Sequence, residues 1–224
     1  MVRVTREITG LLFITLSISI STVCAFVYQE RSQYFAQKII DAYLFFDYFD
    51  EHTPPEAPDG WNVKSGTWQT ATDGTVVYEQ TDTTIRMSRS VAGKKRWTNY
   101  TFEVKVKFVI NGTGLRRGAI LFFRYQNASN YYFLRMLEDK DKVQLYRRIG
   151  GNNTRIASIN FMLVQDQWYN VKINIEGQTI NVWIDGTQVF TNQESGGPLT
   201  NGKIGLGTRY YHCCFDDVKV YVTM

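Results

Sequence analysis

Residues 168–186 read WYNVKINIEGQTINVWIDG, and their side chains alternate between apolar and polar from Tyr169 to Ile175. A period of two residues is typical of a β-strand with one buried face. Glu176-Gly177 leads into a second alternating run, Thr179 to Ile184, and Asp185-Gly186 follows it. Short glycine-containing turns of this kind join paired antiparallel strands. The stretch therefore predicts a meander of β-hairpins.

The same alternation occurs from Tyr100 to Ile110, and Asn/Ser and Asp/Lys turns separate the other predicted strands. Further strands are predicted over Tyr100–Ile110, Gly118–Tyr125, Tyr131–Leu137, Val143–Arg148, Lys203–Gly207 and Cys214–Val222. About a dozen short strands, with no credible helix after Tyr43, are typical of two packed antiparallel sheets. We therefore expect residues 44–224 to form one all-β domain, an antiparallel two-sheet sandwich.

Composition supports a folded domain with a sizeable core. The 224 residues are 44% hydrophobic and 15% aromatic, which is ample for a buried interior. The formal charge of +4 is spread along the sequence, with only short basic clusters at Lys94–Arg96 and Arg147–Arg148. Nucleic-acid-binding proteins carry denser basic tracts, so no nucleic-acid partner is predicted.

The N-terminus predicts a membrane segment. Residues 8–28 contain no charged side chain, and Arg3 and Arg6 precede them. A bilayer-spanning helix needs about 20 apolar residues, and flanking basic residues stay in the cytoplasm. We expect a cytoplasmic N-terminus at 1–7 and a single-pass signal anchor at 8–28 in the cell membrane, with the β domain extracytoplasmic. A cleaved signal peptide is the alternative, because Val23-Cys24-Ala25 has the small-residue pattern of a cleavage site.

Residues 29–43 predict an amphipathic helical stalk. An apolar stripe formed by Tyr28, Phe35, Ile39 and Ala42 recurs near helical spacing. Continuing from 8–28, it would give one long N-terminal α-helix. This continuity favours a retained anchor and predicts that residues 8–43 contact the membrane and either identical copies or other membrane proteins.

Four N-x-S/T triplets predict glycosylation at Asn99, Asn111, Asn127 and Asn152, the last three in predicted loops. The cysteines do not form a disulfide framework, because Cys24 lies in the apolar segment and Cys213 and Cys214 are neighbours. Adjacent strand residues point to opposite faces, so we expect one of this pair to be buried and the other to face outward.

The order of many short motifs resembles the concanavalin A-like, laminin G-like jelly-roll superfamily over about residues 44–224. The motifs are FDYFD (46–50), GW (60–61), SGTW (65–68), FRYQ (123–126), NYY (130–132), WY (168–169), DG (185–186), KIGLG (203–207) and FDDVKV (215–220). The resemblance implies a jelly roll with a curved sheet that often binds sugars, sometimes with structural calcium. It also implies that Trp68, Trp97 and Trp168 are core residues. It does not imply one activity, because a fold hosts many functions.

The candidate carbohydrate-binding residues are Arg124, Tyr125, Tyr132 and Arg135. Sugar sites use aromatic faces against pyranose rings and planar hydrogen-bonding groups against hydroxyls. The alternative is that these aromatic residues only pack in the sheet. A catalytic role is not predicted, because no strand carries the paired carboxylates of a glycosidase and no hydrolytic triad is evident.

No cofactor is required by these residues, but a structural calcium ion could join the ends of the domain. Asp47 and Asp217 are the candidate ligands, with Asp50 and Asp216 beside them, because calcium takes six to eight oxygen ligands. The alternative is that these aspartates only cap turns.

These observations predict a non-catalytic, membrane-anchored, surface-exposed jelly-roll module for glycan recognition or adhesion. The alternative is a structural subunit assembled through its N-terminal helix, either of a pilin-like surface filament or as an accessory subunit of a membrane complex.

Overall fold

The computed structural model describes residues 25, 27–34, 37, 42–193 and 199–222. The chain divides into two units between Ala42 and Tyr43. In the first unit, residues 25, 27–34, 37 and 42 are helical. No helix within the described residues combines the length and apolar character needed to cross a bilayer. Most of the predicted anchor at 8–28, and part of the predicted stalk, lie outside the described residues.

The described part of the second unit forms fifteen strands and one short 3₁₀ helix, Glu138–Lys140. The strands are β1 (Tyr43–Asp47), β2 (Trp61–Ser65), β3 (Trp68–Asp73), β4 (Thr75–Gln80), β5 (Arg89–Ala92), β6 (Tyr100–Asn111), β7 (Gly118–Asn127), β8 (Asn130–Leu137), β9 (Lys142–Ile149), β10 (Asn152–Asn160), β11 (Trp168–Glu176), β12 (Thr179–Ile184), β13 (Thr187–Gln193), β14 (Lys203–Arg209) and β15 (Tyr211–Tyr221).

The strands form two antiparallel sheets. The eight-stranded sheet has the order β13-β12-β11-β6-β15-β4-β3, and β1 pairs with the C-terminal part of β15. The seven-stranded sheet has the order β10-β9-β8-β7-β14-β5-β2. The predicted all-β jelly-roll sandwich is confirmed. The hairpin between β12 and β13 turns through Asp185 (φ 49°) and Gly186 (φ 77°), both left-handed, as two-residue hairpin turns require.

The hydrophobic core lies between the two sheets. The side chains of Phe102, Val104, Val106 and Phe108 alternate inward from β6 and are all buried, as their spacing predicts. On the facing sheet, Leu121, Phe123, Leu134, Met136 and Leu145 belong to the same cluster. The Tyr78 hydroxyl lies 3.0 Å from Ser90 Oγ and links β4 to β5 across the core. Burial raises the pKa of Tyr78 to about 12, so this hydroxyl stays neutral.

Several local expectations differ from the structure. Tyr43 begins β1 instead of ending the predicted stalk. Trp168 is not a core residue: it pairs with Lys107 across the outer side of the eight-stranded sheet, where the Lys107 ammonium lies 5.1 Å from its ring. The core residue is its neighbour Tyr169. Trp68 and Trp97 are buried as expected.

Strand β10 was not predicted from the sequence. All of its residues are exposed or half-buried, because it is the edge strand of its sheet. An edge strand with little burial has no strong alternation. Asn152 therefore starts a strand instead of lying in a loop. Asn111 and Asn127, which were also expected in loops, are the last residues of β6 and β7.

Candidate functional site

The outer side of the seven-stranded sheet carries a continuous set of aromatic and arginine side chains. Cross-strand pairing aligns Ile120 with Arg135 and Gln144, and Phe122 with Phe133 and Tyr146. Paired residues point to the same side of a sheet, and this side faces away from the core. We call this surface the arginine–aromatic face; it consists of Arg89, Ile120, Phe122, Tyr125, Tyr131, Phe133, Arg135, Gln144 and Tyr146.

A bulge in β7 brings Tyr125 to this face. Phe123 and Tyr125 are two residues apart and would share a side in a regular strand. Instead Phe123 lies in the core between the sheets, whereas Tyr125 packs with Phe122 on the outer side. Arg124, between them, has a left-handed φ of 46°, and the pairing register shifts here. A β-bulge re-aims side chains in this way.

Glycines in β14 make room for the aromatic rings. A Cβ atom on Gly207 would lie 2.7 Å from Cε2 of Phe122 and 2.5 Å from the Ser88 carbonyl oxygen. Such distances are far inside van der Waals contact. The Phe122 ring therefore packs directly over the β14 backbone, which explains why glycine stands there.

Two groups of rings on the face are stacked beside arginines. The rings of Tyr125 and Tyr131 have centroids 5.7 Å apart and an interplanar angle of 25°. The Arg89 guanidinium lies 5.3 Å and 5.0 Å from their centroids. Phe133 and Tyr146 stack at 5.0 Å and 9°, and Arg135 lies 4.8 Å from the Tyr146 ring. Guanidinium planes are attracted to aromatic faces at these distances.

The face is electropositive and has no carboxylate. Arg135 is only 5% exposed, and it forms no hydrogen bond or salt bridge with any described residue. Burial lowers the pKa of Arg135, and Arg209 and Arg116 lower it further. Burial also raises the pKa of the Tyr131 phenol, so that group stays neutral. The functional groups of the face are therefore guanidinium cations, aromatic rings and neutral hydroxyl groups.

Two of the four predicted carbohydrate-binding residues lie on this face, namely Tyr125 and Arg135. The other two point away from it. Tyr132 stacks on Phe123 in the inter-sheet core, with centroids 5.5 Å apart. A buried ring in that position packs the core and cannot reach a ligand on the outer side.

Arg124 is a buried structural residue. Its guanidinium donates hydrogen bonds to the backbone carbonyls of Leu199 (2.9 Å), Gly177 (2.7 Å) and Thr98 (3.2 Å). Its backbone N–H donates to the Tyr100 hydroxyl at 2.8 Å. The side chain thereby ties the β11–β12 turn and two loops to the bulge.

The residues that the sequence analysis missed are Arg89, Tyr131 and Tyr146. The signal was present for Tyr131, because it has the same parity as Phe133 and Arg135 along β8, whereas Tyr132 has the opposite parity. Arg89 and Tyr146 gave no such signal. They reach the face only because β5 and β9 flank the central strands of the sheet.

The predicted calcium ligands do not cluster among the described residues. Asp47 accepts hydrogen bonds from Trp61 Nε1 (2.8 Å) and the Phe49 N–H (2.9 Å). Asp217 forms a 2.6 Å salt bridge with Lys105. Asp50 accepts from the Val76 N–H and Asp216 from the Thr75 hydroxyl. Each aspartate thus has a protein partner.

A different group of side chains has metal-ligand chemistry. Ligand atoms of Glu79, His212 and Cys214 lie within 4.8 Å of one another on the outer side of the eight-stranded sheet. His212 Nε2 is 2.8 Å from Glu79 Oε2, and this hydrogen bond lowers the pKa of Glu79. Burial raises the pKa of the Cys214 thiol to about 12, which disfavours the thiolate that metals bind. Cys213 lies in the inter-sheet core and Cys214 on the opposite face of β15, as expected, but Cys214 is buried there and not exposed.

The predicted glycosylation sites differ in surroundings. The side chains of Asn99, Asn127 and Asn152 are exposed. The Asn99 Oδ1 atom accepts a hydrogen bond from the Gly177 N–H, and the Asn127 Oδ1 from the Ser129 N–H. These bonds use the oxygen and leave the amide nitrogen, where a glycan would attach, on the exposed side chain. Use of the four triplets stays a prediction.

The family model of the 3-keto-alpha-glucoside-1,2-lyase-like domain matches residues 48–221. The chain belongs to this family. The match covers β2 to β15 and therefore every strand that carries the arginine–aromatic face. Levanase of Bacillus subtilis (strain 168) is 24% identical over 147 residues, which is 66% of this chain and 20% of levanase. The chain therefore spans only about a fifth of the length of that relative.

Solved structures share the fold. The carbohydrate binding module CBM66 from Bacillus subtilis superposes with a TM-score of 0.62 at 22% identity, covering 72% of this chain and 95% of the module. The β-glucanase of Bacillus licheniformis gives a TM-score of 0.59 at 13% identity, covering 80% and 98%. These likenesses confirm the jelly-roll architecture.

Proposed function

We propose that this protein is a carbohydrate-binding module that holds a glycan against its arginine–aromatic face. The observation that carries the proposal is the Phe133–Tyr146 stack beside Arg135 on the outer side of the seven-stranded sheet, where Tyr146 is half-buried; Phe133, Tyr125 and Tyr131 are buried and support it. Aromatic faces pack on sugar rings, and guanidinium groups donate to hydroxyls. The similarity to CBM66 and levanase supports the same ligand class.

The proposed role is binding without catalysis. The strands that form the face contain no Asp, Glu or His, so no general base or acid of the usual kinds stands there. We further propose display outside the cell from an N-terminal membrane anchor, as the uncharged segment 8–28 suggests. Assembly into a filament or a membrane complex through residues 8–43 is the alternative role for that segment.

The test is calorimetric titration of the full-length protein, in a detergent without a sugar headgroup, against levan, β-glucan and other purified polysaccharides. Tyr146→Ala removes a half-buried ring from the face and is expected to weaken binding at least about tenfold, since a stacked ring contributes about 1 kcal/mol or more beyond its buried area. Trp183→Ala removes a half-buried ring from the opposite side of the sandwich and should leave binding unchanged. Equal losses in both variants would contradict the proposal.

A second candidate is elimination from a 3-keto-glucoside, favoured by the family match. The hydrogen-bonded His212 and Glu79 pair is the arrangement among the described residues that most resembles a base and its orienting partner. Incubation of the protein with a 3-keto-glucoside, followed by chromatography, tests this candidate. Turnover that His212→Gln abolishes would establish an enzyme and overturn the non-catalytic role.

A further inference from the structure

The seven-stranded sheet has an unusual charge composition. Its seven strands contain ten Lys or Arg residues and no Asp or Glu residue. Cross-strand pairing places Arg89, Arg135, Arg148, Arg155 and Arg209 on the outer side with the aromatic rings. The arginine–aromatic face and its borders therefore have one sign of charge.

Two of these arginines are buried without a carboxylate partner. Arg135 and Arg89 are 5% and 9% exposed, and the Nε atom of each is buried without a hydrogen-bond partner among the described residues. Arg89 makes only long contacts of 3.4–3.5 Å with Met87 and two tyrosine hydroxyls. A buried charge is costly unless it is paired. The site therefore lacks a counter-charge for these two arginines, and a negatively charged ligand would supply it.

Nearby groups add to the positive potential. Arg209 and Arg116 act electrostatically on Arg135, and Arg86 acts on Arg209. Asp139 also acts electrostatically on Arg209, and its carboxylate accepts hydrogen bonds from the Arg116 and Arg117 backbone N–H groups at 3.0 Å and 2.9 Å. Asp139 is therefore already engaged in holding the loop before β7.

We propose that the ligand is an acidic polysaccharide, whose sugar carboxylates pair with Arg135 and Arg89 while a sugar ring packs on the half-buried Tyr146. This inference rests on the proposed function and narrows it to uronic-acid-type glycans. The planar guanidinium fork matches a carboxylate with two parallel hydrogen bonds. The half-buried Tyr146 ring beside Arg135 distinguishes the site from a simple cation patch, because it offers apolar surface to the sugar.

The test compares polysaccharides that differ only in charge. Polygalacturonate and alginate are titrated into the full-length protein beside their methyl-esterified forms, which keep the sugars and linkages. We expect the acidic form to bind at least about tenfold more tightly, and its affinity to fall as salt rises while that of the ester does not. Equal affinity within both pairs would overturn the inference and leave the proposed function standing. Absence of binding to these and to every neutral glycan would overturn both.

Two matched variants locate the effect. Arg135→Met keeps a long apolar side chain beside Tyr146 and should weaken binding of the acidic form at least about tenfold more than binding of the ester, which abolishes the preference. Lys172→Met is the control, because Lys172 lies 5.5 Å from the Trp183 ring on the opposite side of the sandwich; it should keep the preference. If Arg135→Met weakens both forms equally, its role is packing and the inference fails.

Single-stranded oligothymidylate provides the remaining comparison. It is polyanionic and has stacking bases, but it carries phosphates in place of sugar carboxylates. We expect it to bind at least about tenfold more weakly than the preferred acidic polysaccharide at the same ionic strength. Equal or tighter binding would overturn the inference in favour of nucleic acid.

Discussion

The two outer sides of this sandwich have opposite electrostatic designs. The strands of the eight-stranded sheet contain seven Asp or Glu residues and four Lys or Arg residues, and on its outer side they pair: Lys105 with Asp217, Lys172 with Glu103, and Lys107 with Asp73. In the strands of the seven-stranded sheet, all charged residues are basic. The arginines on its outer side therefore have no acidic partner within these strands. The comparison teaches that charges on one outer side neutralise each other in ion pairs, whereas the guanidinium groups on the other have no acidic partner in their own sheet.

Arg124 and Arg135 are buried on adjacent strands, and their replacement is expected to change stability in opposite directions. The larger change is expected for Arg124. Arg124→Met removes three hydrogen bonds to backbone carbonyls of Leu199, Gly177 and Thr98 and leaves those acceptors unsatisfied. We expect the free energy of unfolding to fall by about 4 kcal/mol, measured by urea denaturation. A loss below about 1 kcal/mol would show that Arg124 is not a structural residue.

Arg135→Met is expected to act in the opposite direction. Its guanidinium is buried without an acidic partner, so replacing it with an apolar side chain removes an uncompensated charge. We expect the free energy of unfolding to rise by about 1 kcal/mol. Thermal and urea unfolding of the ligand-free protein measure this change. A clear decrease in the free energy of unfolding would mean that contacts within the protein already stabilise the Arg135 guanidinium.

The outer side of the eight-stranded sheet, where charged groups pair, should contribute less to stability at acid pH. The hydrogen bond from His212 lowers the pKa of Glu79 below its ordinary value of 4.5 in the folded state. Its contribution is therefore complete above pH 4.5 and is lost as the pH falls through the lowered folded pKa. His212→Gln should cost about 1 kcal/mol at pH 7 and flatten the decline of stability below pH 4.5. Burial raises the pKa of Asp216, which works the other way, so the variant is compared with wild type at each pH.

The smallest effect is expected at an exposed ion pair. Lys105→Met breaks the 2.6 Å contact with Asp217, but both side chains are substantially exposed. Such pairs contribute about 0.5 kcal/mol, and salt screens them. Urea unfolding at low and high salt should show a difference that shrinks with salt. A loss above about 2 kcal/mol would mean that this side depends on its ion pairs more than the comparison implies.

Much of the fold was predictable, because a strand with one buried face alternates apolar and polar side chains with a period of two residues. The β6 pattern from Phe102 to Phe108 and the hairpin at Asp185-Gly186 appear in the structure as the sequence indicates. The edge strand β10 was not predictable, since none of its side chains is fully buried. Within the site, Arg135 and Tyr125 lie on the outer side of the sheet but are buried there. The β7 bulge that turns Arg124 inward could not be predicted, because it interrupts the alternation of side chains without a mark in the sequence.

The sequence by itself determined the layered β architecture, because apolar side chains at alternate positions must be buried between two sheets. It also determined the abundance of aromatic residues. Only the tertiary structure decided where charge gathers. Arg89, Arg135 and Arg209 are far apart along the chain, and they come together because hydrogen bonding places β5, β14, β7 and β8 side by side. A net charge that looks evenly spread in sequence is thereby sorted onto one side of the molecule.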